Sequence, residues 1–502
     1  MINLNYEKIR KYCLIYITLP VIIFLLGWIR LQYSVIASVL LLFSAYTILK
    51  QKNTSEKSIK LSYKMLGVLC LIALVWCFFA GQGGYYYQSA DYDCRNAIFR
   101  DLINFKWPVI YKFNNTALVY YIGYWMPAAL VGKIAFLVSG SASIAWAVGN
   151  FALFIWSTCG VVLVFLLLIS TVKANTRKKM VATSLLFIFF SGCDALGYLL
   201  FKNGFAWHIE WWAGIYQFSS ITTCLFWVFN QTVISWIIIL CLINEKSIKN
   251  FAYIGVMALP AGPFPFLGIF IYCICIAAKH GVKAIKQNKI KEFLKDIFTP
   301  QNIFSCLVIV PIYLLYYSSN AAMSSGGTNS NGGINFYWNE INCNLTDELF
   351  RYTMFLFLEV AVYAILIYKK NKKNILFYIT IISLMIIPLF RMCNSADFAM
   401  RVSIPGITVL GFMVIDYLIN NFNDLKATKK CKKYTYILLL TIYLIGSVTP
   451  MIEFGRGIHN VIIYKKIDLV CDDIKTFNRS GRFDNFITSK YSEKPFYKYL
   501  AK

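Results

Sequence analysis

Apolar runs of about 20 residues, the length of a bilayer-crossing helix, recur from one end of the chain to the other, and nothing else in the sequence narrows the fold so far. Lipid offers the backbone no hydrogen-bond partner, so a chain inside it must satisfy every N–H and C=O internally. A continuous run of that length does so as a helix. A closed barrel would instead show alternating segments of about 10 residues. Composition agrees: 59% of the 502 residues are hydrophobic and 14% are charged, against about 25% charged in soluble domains. The expected fold is all-α, a polytopic transmembrane helical bundle of about 11–13 spans.

The spans read as 12–30 and 33–49, an opening hairpin, then 62–80, 144–171, 180–199, 219–243, 302–319, 347–368, 375–390, 402–420 and 435–453. The run 251–278 is broken at its centre by Pro260-Ala-Gly-Pro-Phe-Pro265, and proline removes the amide hydrogen that a helix interior needs. It reads as a re-entrant hairpin or as two short tilted helices. The lysine-rich loops 50–60, 173–179, 245–249, 279–295, 369–373 and 426–433 then share one side with the basic N-terminus, and the positive-inside rule makes that side cytoplasmic. Loops 81–143, 200–218, 320–346 and 391–401 fall on the other side, with the tail 456–502 as a small cap or a loose end. The apolar stretch 118–138 carries Tyr120, Tyr121, Tyr124, Trp125, Pro127 and Lys133, decoration that suits a helix lying at the interface. Loop 320–346, rich in Gly, Ser and Asn, reads either as a cover for a site or as an idle linker.

A net charge of +26, from 49 basic and 23 acidic residues, would suggest nucleic acid in a soluble protein. Here the lysines sit in loops that set topology, and no nucleic-acid partner is expected. The fifteen cysteines include no C-x-x-C pair and no zinc spacing. Cys94, Cys193, Cys343, Cys393 and Cys471 fall in outer regions where disulfides are open to them, and no pairing is assigned. The chain has no P-loop and no Ser-His-Asp pattern, so any donor it uses must arrive already activated.

Three polar groups stand out on the outer side. The first is Asp91-Tyr-Asp93, followed by Arg95 and Arg100. On an extended segment the two aspartates would face the same way. So placed, they could hold a divalent cation such as Mg or Mn, or one could act as a base tuned by the other. The arginines suit phosphate. The plainer alternative is ordinary ion pairing. The second group is His208-Ile-Glu210-Trp-Trp212, either an aromatic belt or a platform for a sugar or lipid head group. The third is Arg391, Asp397 and Arg401, where the arginines serve either Asp397 itself or an anionic ligand such as a lipid-linked phosphate. Asp194 and Gln231 are costly in lipid unless each faces a cavity or a partner. Glu359, Asp416 and Arg30 read as structural pairs or helix-end groups.

With its long early outer loop and acidic start, the chain resembles the GT-C fold membrane glycosyltransferases, which take sugars from polyprenyl-phosphate carriers. It is more closely similar to uncharacterised bacterial multipass proteins found with envelope-polysaccharide genes. That likeness rests on 88–102, Trp107-Pro108, His208-Ile-Glu-Trp-Trp212, Trp227-Val-Phe-Asn-Gln231 and 397–405. In GT-C enzymes the long loop usually follows the first span, whereas here it follows the third. The resemblance implies a bacterial plasma-membrane enzyme. It would move sugar from a polyprenyl-phosphate donor to a glycan, lipid or protein acceptor, with inversion. Asp91 or Asp93 would be the base, and Arg391, Arg401 and His208 would steady the departing phosphate. Two alternatives stand beside it: a polysaccharide polymerase or ligase, and a transporter or flippase of envelope precursors, for which the Pro260–Pro265 break is the best sign.

Overall fold

A computed structural model describes residues 2–51, 58–112, 115–202, 204–321, 334–336, 344–392, 396–426, 430–465, 473–474 and 485–502. The Gly/Ser/Asn stretch 324–333 and the cysteines Cys343, Cys393 and Cys471 lie outside the described residues.

The chain is an all-α polytopic helical protein. Its helices in order are α1 (Tyr6–Trp28), α2 (Leu31–Lys50), α3 (Tyr63–Phe79), α4 (Tyr92–Asn104), α5 (Met126–Ser139), α6 (Ala142–Val172), α7 (Arg177–Ile188), α8 (Asp194–Phe201), α9 (Ile221–Leu242), α10 (Phe251–Val256), α11 (Pro263–Lys286), α12 (Ile290–Ile297), α13 (Pro300–Ser318), α14 (Leu345–Asn371), α15 (Ile375–Ile386), α16 (Asp397–Val402), α17 (Ile404–Asn420), α18 (Lys430–Gly446) and α19 (Val448–Tyr464). Among the described residues, nine helices are long and apolar enough to cross a membrane. Polar caps start many of them. Asn5, Ser62, Ser141, Thr176 and Ser220 each accept a hydrogen bond from a backbone N–H in the first turn of the helix that follows. Such caps satisfy amide groups that would otherwise be bare at the helix start.

Short strands tie the ends together. β1 (Ile2–Asn5) pairs antiparallel with β2 (Ser58–Leu61). β3 (Ile110–Tyr111), β4 (Thr116–Leu118) and β7 (Ile487–Thr488) form a three-stranded sheet in the order β3-β4-β7. β5 (Ile334–Phe336) pairs with β6 (Phe390–Met392). The described C-terminal residues form a cap. Arg30, in the turn between α1 and α2, donates from Nε to the Ala501 carbonyl and from Nη2 to that of Lys498, each at 2.8 Å. The Lys502 N–H donates to the Trp28 carbonyl at 3.0 Å.

The lysine-rich loops do share one face. Arg10 pairs with Glu245. Asn250 donates to Gln51 Oε1 at 3.0 Å, Lys249 Nζ stands 3.5 Å from Asp296 Oδ1, and Asn420 donates to the Val172 carbonyl at 2.8 Å. Lys370 Nζ lies 2.7 Å from Asp416 Oδ2, so Asp416 is a helix-end ion pair as its position suggested. The proline-broken run is an antiparallel pair. Gly255 on α10 lies against Cys273 and Ile269 on α11, and the pair enters and leaves by the lysine face. Its tip reaches the opposite face, where Tyr317 Oη donates to the Leu259 carbonyl at 2.7 Å.

Three expectations need correction. The run 180–199 is not one helix: α7 stops at Ile188 and α8 begins at Asp194, with 189–193 between them. The helix that includes residue 453 does not end there but continues to Tyr464, so the first residues assigned to the tail are helical. The stretch 118–138 is not one continuous helix. It begins in β4, and α5 then packs antiparallel against α6 around Gly132 and Ala145. Residues Ile122–Ser139 have the length and apolar character of a span.

Candidate functional site

Opposite the lysine face, the first and third polar groups meet. The Asp91 carboxylate accepts from Arg95 Nη2 at 3.1 Å, and the Asp397 carboxylate from Arg401 Nη2 at 3.1 Å, each pair one helical turn apart. Between them stands Tyr120, in the field of Arg401, Arg95 and Asp91. Burial pushes the Tyr120 hydroxyl up, while the two arginines pull it back down. Around Arg401, burial disfavours the charge and Asp397, Tyr120, Tyr121 and Asp91 favour it, with the net direction upward. The ion pairs leave donors over. Arg95 Nη1 and Arg401 Nε are buried and have no hydrogen-bond partner. A bare guanidinium N–H in a dry site costs more than a bonded one, so these donors suit an anion.

The wall of this site comes from the broken helix. Phe264, just past Gly262, packs edge-on against Tyr121 and Phe398. Gly262 has φ +152, and a side chain there would press on the Gln231 amide at 3.2–3.3 Å. Asn230 and Gln231 are fully buried on α9, and all four of their amide N and O atoms lack a partner. Of the two polar residues expected to need a cavity or a partner, Asp194 therefore has partners and Gln231 does not.

The D-x-D pair does not face one way. The segment is the start of α4 and not an extended strand, and residues two apart on a helix point to different sides. The Asp91 side chain is 34% exposed. Asp93 is buried, with its carboxylate accepting from the Cys94 N–H at 2.7 Å. A shared two-carboxylate cation site is therefore not formed. Among the described residues no group of three or more His, Cys, Asp or Glu is arranged to hold a metal.

His208 and Glu210 belong to a second cluster. His208 Nδ1 lies 3.1 Å from Glu453 Oε1, and Glu453 Oε2 accepts from Arg456 Nη2 at 2.5 Å and Trp227 Nε1 at 3.2 Å. Glu210 accepts from Ser219 Oγ at 2.7 Å, the Ser220 N–H at 2.8 Å and Gln217 Nε2 at 3.2 Å. Burial pushes its carboxyl up to about 7. Burial alone would lower His208, but the bond to Glu453 and the charge of Glu210 outweigh it, so its imidazole moves up. The two clusters adjoin through α9, where Trp227 faces Glu453 and Phe229 lies under Arg95. They are neighbouring sites, not the single one expected.

The remaining expected residues lie elsewhere. Arg100 sits over the Trp146 ring at 5.6 Å, away from the aspartates. Arg391 is in β6, in register with Asn335. Cys94 and Cys193 are buried. Glu359 accepts from Trp212 Nε1 at 3.2 Å within the buried acidic region. Arg456 was missed because residues at 456 and beyond read as tail, and Glu453 because it stood at the last position of the apolar run 435–453. Their i,i+3 spacing next to an apolar run is the signal that could have found them. Compared with protein-family models, curated proteins and solved structures, the chain matches none of them.

Proposed function

We propose that the chain is a GT-C-like membrane glycosyltransferase that moves a sugar from a polyprenyl-phosphate donor to an envelope glycan, lipid or protein acceptor. The lysine face is cytoplasmic in this reading, and the Asp91 site opens outward from a bacterial plasma membrane. The observation that carries it is a carboxylate, Asp91, beside two arginines that keep unused donors buried at the same point. Asp91 is half-exposed and takes the acceptor hydroxyl proton as that oxygen attacks the anomeric carbon. The bond from that carbon to the phosphate breaks, and Arg95 and Arg401 take up the charge left on the polyprenyl phosphate. Asp93 is a poorer base because it is buried and bonded to its own helix.

The test is transfer by purified full-length protein in vesicles, supplied with a panel of polyprenyl-phosphate sugars. Transfer that falls about 10²–10⁴-fold in Asp91→Asn supports the reading. Full turnover in that variant, or failure of polyprenyl phosphate to bind a protein that folds normally, overturns it. A second reading, a carrier for envelope precursors, is favoured by the helix break at Gly262 beside the bare Gln231 amide. Movement of a labelled lipid-linked sugar across the vesicle without transfer would select it.

A further inference from the structure

Asp194, at the start of α8, and Glu359, in α14, are both fully buried and lie side by side: Gly192, two residues before Asp194, packs against the Glu359 carboxyl, and the Cys193 N–H donates to the Leu358 carbonyl at 3.2 Å. Two carboxylates sealed side by side with no cation to pair them cannot both stay charged, so one of them carries a proton. The other positions around the pair are filled by neutral donors. Ser191 Oγ and Thr449 Oγ1 donate to Asp194 Oδ2 at 2.8 and 3.0 Å, and Trp212 Nε1 donates to Glu359 Oε1 at 3.2 Å. Among the described residues no lysine or arginine pairs with either acid. The titratable groups facing the pair are Cys193, Tyr363, Glu210 and, further out, His208.

The backbone is shaped to the pair. Glu359 lies in a π-helical turn, Phe357–Ala361, within an otherwise α-helical span. Such turns insert an extra residue and recur at functional sites. Ionisable groups inside a membrane are expensive and usually mark proton or substrate routes. A route outward is visible. Glu210 lies beside the pair: it accepts from the Ser220 N–H, and the next residue, Ile221, donates from its N–H to the Phe190 carbonyl, next to the Ser191 that bonds Asp194. Glu210 Oε2 lies 3.9 Å from His208 Nε2, and Gln217 Nε2 bonds Glu210 at 3.2 Å and approaches the same ring nitrogen at 3.5 Å. The His208 side chain is 14% exposed, whereas that of Glu210 is sealed.

We infer that Asp194 and Glu359 form a proton-binding site that holds one shared proton and exchanges it with the Asp91-bearing face through Glu210 and His208. On release the carboxyl O–H bond breaks, the proton passes to the Glu210 carboxylate, then to a His208 nitrogen, and then to water. The acid pair is left with two negative charges, so release requires a cation or a movement to offset them. Glu210, with its carboxyl pushed up to about 7, is matched to relay a proton near neutrality. The inference holds for either proposed function.

Infrared difference spectroscopy on the full-length protein tests it at mildly alkaline pH, where Glu210 has given up its own proton. A protonated-carboxyl carbonyl band is expected there, lost in Glu359→Gln and in Asp194→Asn. Trp212→Phe keeps both acids and shifts the band by removing a donor to Glu359. His208→Gln keeps the band but slows its exchange in deuterated water several-fold. Absence of the band in the unsubstituted protein, or a band that Trp212→Phe leaves unmoved, overturns the shared proton. Exchange in His208→Gln as fast as in the parent overturns the route.

Discussion

Gly192 lies so close to the carboxyl of Glu359 that a methyl group built on it would overlap the acid. The neighbouring Cys193 N–H donates to the Leu358 carbonyl at 3.2 Å, so the loop between α7 and α8 is stitched to α14 at this point. The break in the run 180–199 and the burial of the acid pair are one arrangement: the chain leaves the helix here and brings bare backbone against Glu359.

Gly192→Ala is therefore expected to lose about 1–3 kcal/mol of stability, the range for overpacking a tight interior. A thermal melt in detergent, followed by size-exclusion chromatography, reads it. A melt equal to that of the parent would mean that Glu359 swings aside freely.

Asp91 and Asp93 should separate cleanly. Asp91→Asn removes the exposed carboxylate and is expected to cut transfer about 10²–10⁴-fold with normal folding. Asp93→Asn removes a charge from the first turn of α4 and is expected to cost about 0.3–1 kcal/mol of stability. Its transfer rate should stay close to that of the parent. Vesicle assays beside melts distinguish the two.

Stability should fall as pH rises through the neutral range. Glu210 has an ordinary value of 4.5 and sits at about 7 when folded. Between those values the folded protein holds more protons than the unfolded one. Its contribution is therefore full below 4.5, is lost as pH climbs through about 7 and is gone above. His208 is raised too, and its contribution is lost in the same direction. The loss from Glu210 is on the order of 3 kcal/mol, and that from His208 adds to it. Glu210→Gln should flatten much of the slope in melts taken across that range.

Arg30→Ala should free the C-terminal cap. It removes two charge-assisted bonds to the carbonyls of Lys498 and Ala501, each worth about 1.5–3 kcal/mol when sheltered and less here because the site is partly open. Limited proteolysis should cut the last residues faster in the variant, while α1 and α2 remain intact. Equal protection would assign the docking of the tail to the β4–β7 pairing.

Single cysteines placed at Lys249 and Lys289 should label from the same side of a sealed vesicle, and one at Phe205 from the opposite side. Labelling of Lys249 and Lys289 from opposite sides would mean that α10 and α11 run straight through rather than folding back.

Much of the architecture was legible because its causes are local. Run length marks helices, and clustered lysines mark one face. Pro260, Pro263 and Pro265 mark the break, since proline fixes φ and removes a donor wherever it stands. The site was only half legible. Asp91, Arg95, Asp397 and Arg401 meet, because the i,i+4 pairs sit on two short helices, α4 and α16, on the face opposite the lysines. Asp93 failed for a reason invisible in its spacing: D-x-D converges on a strand and diverges on a helix, and α4 starts between the two. The partnership of Glu453 with His208 spans 245 positions, and no local pattern encodes a contact at that separation.

The fold-back of Phe251–Lys286 has an arithmetic consequence. Apolar segments and bilayer crossings no longer count in step, so the sidedness of everything after α13 hangs on Pro260 to Pro265. If that break were straightened into a through-going rod, α13 and all that follows would be threaded upside down. Arg401 and Glu453 would be carried into the opposite compartment from Asp91 and His208, and neither cluster could assemble. Six residues, none of them charged, thus act as the keel that keeps the two halves of the protein's chemistry in the same water.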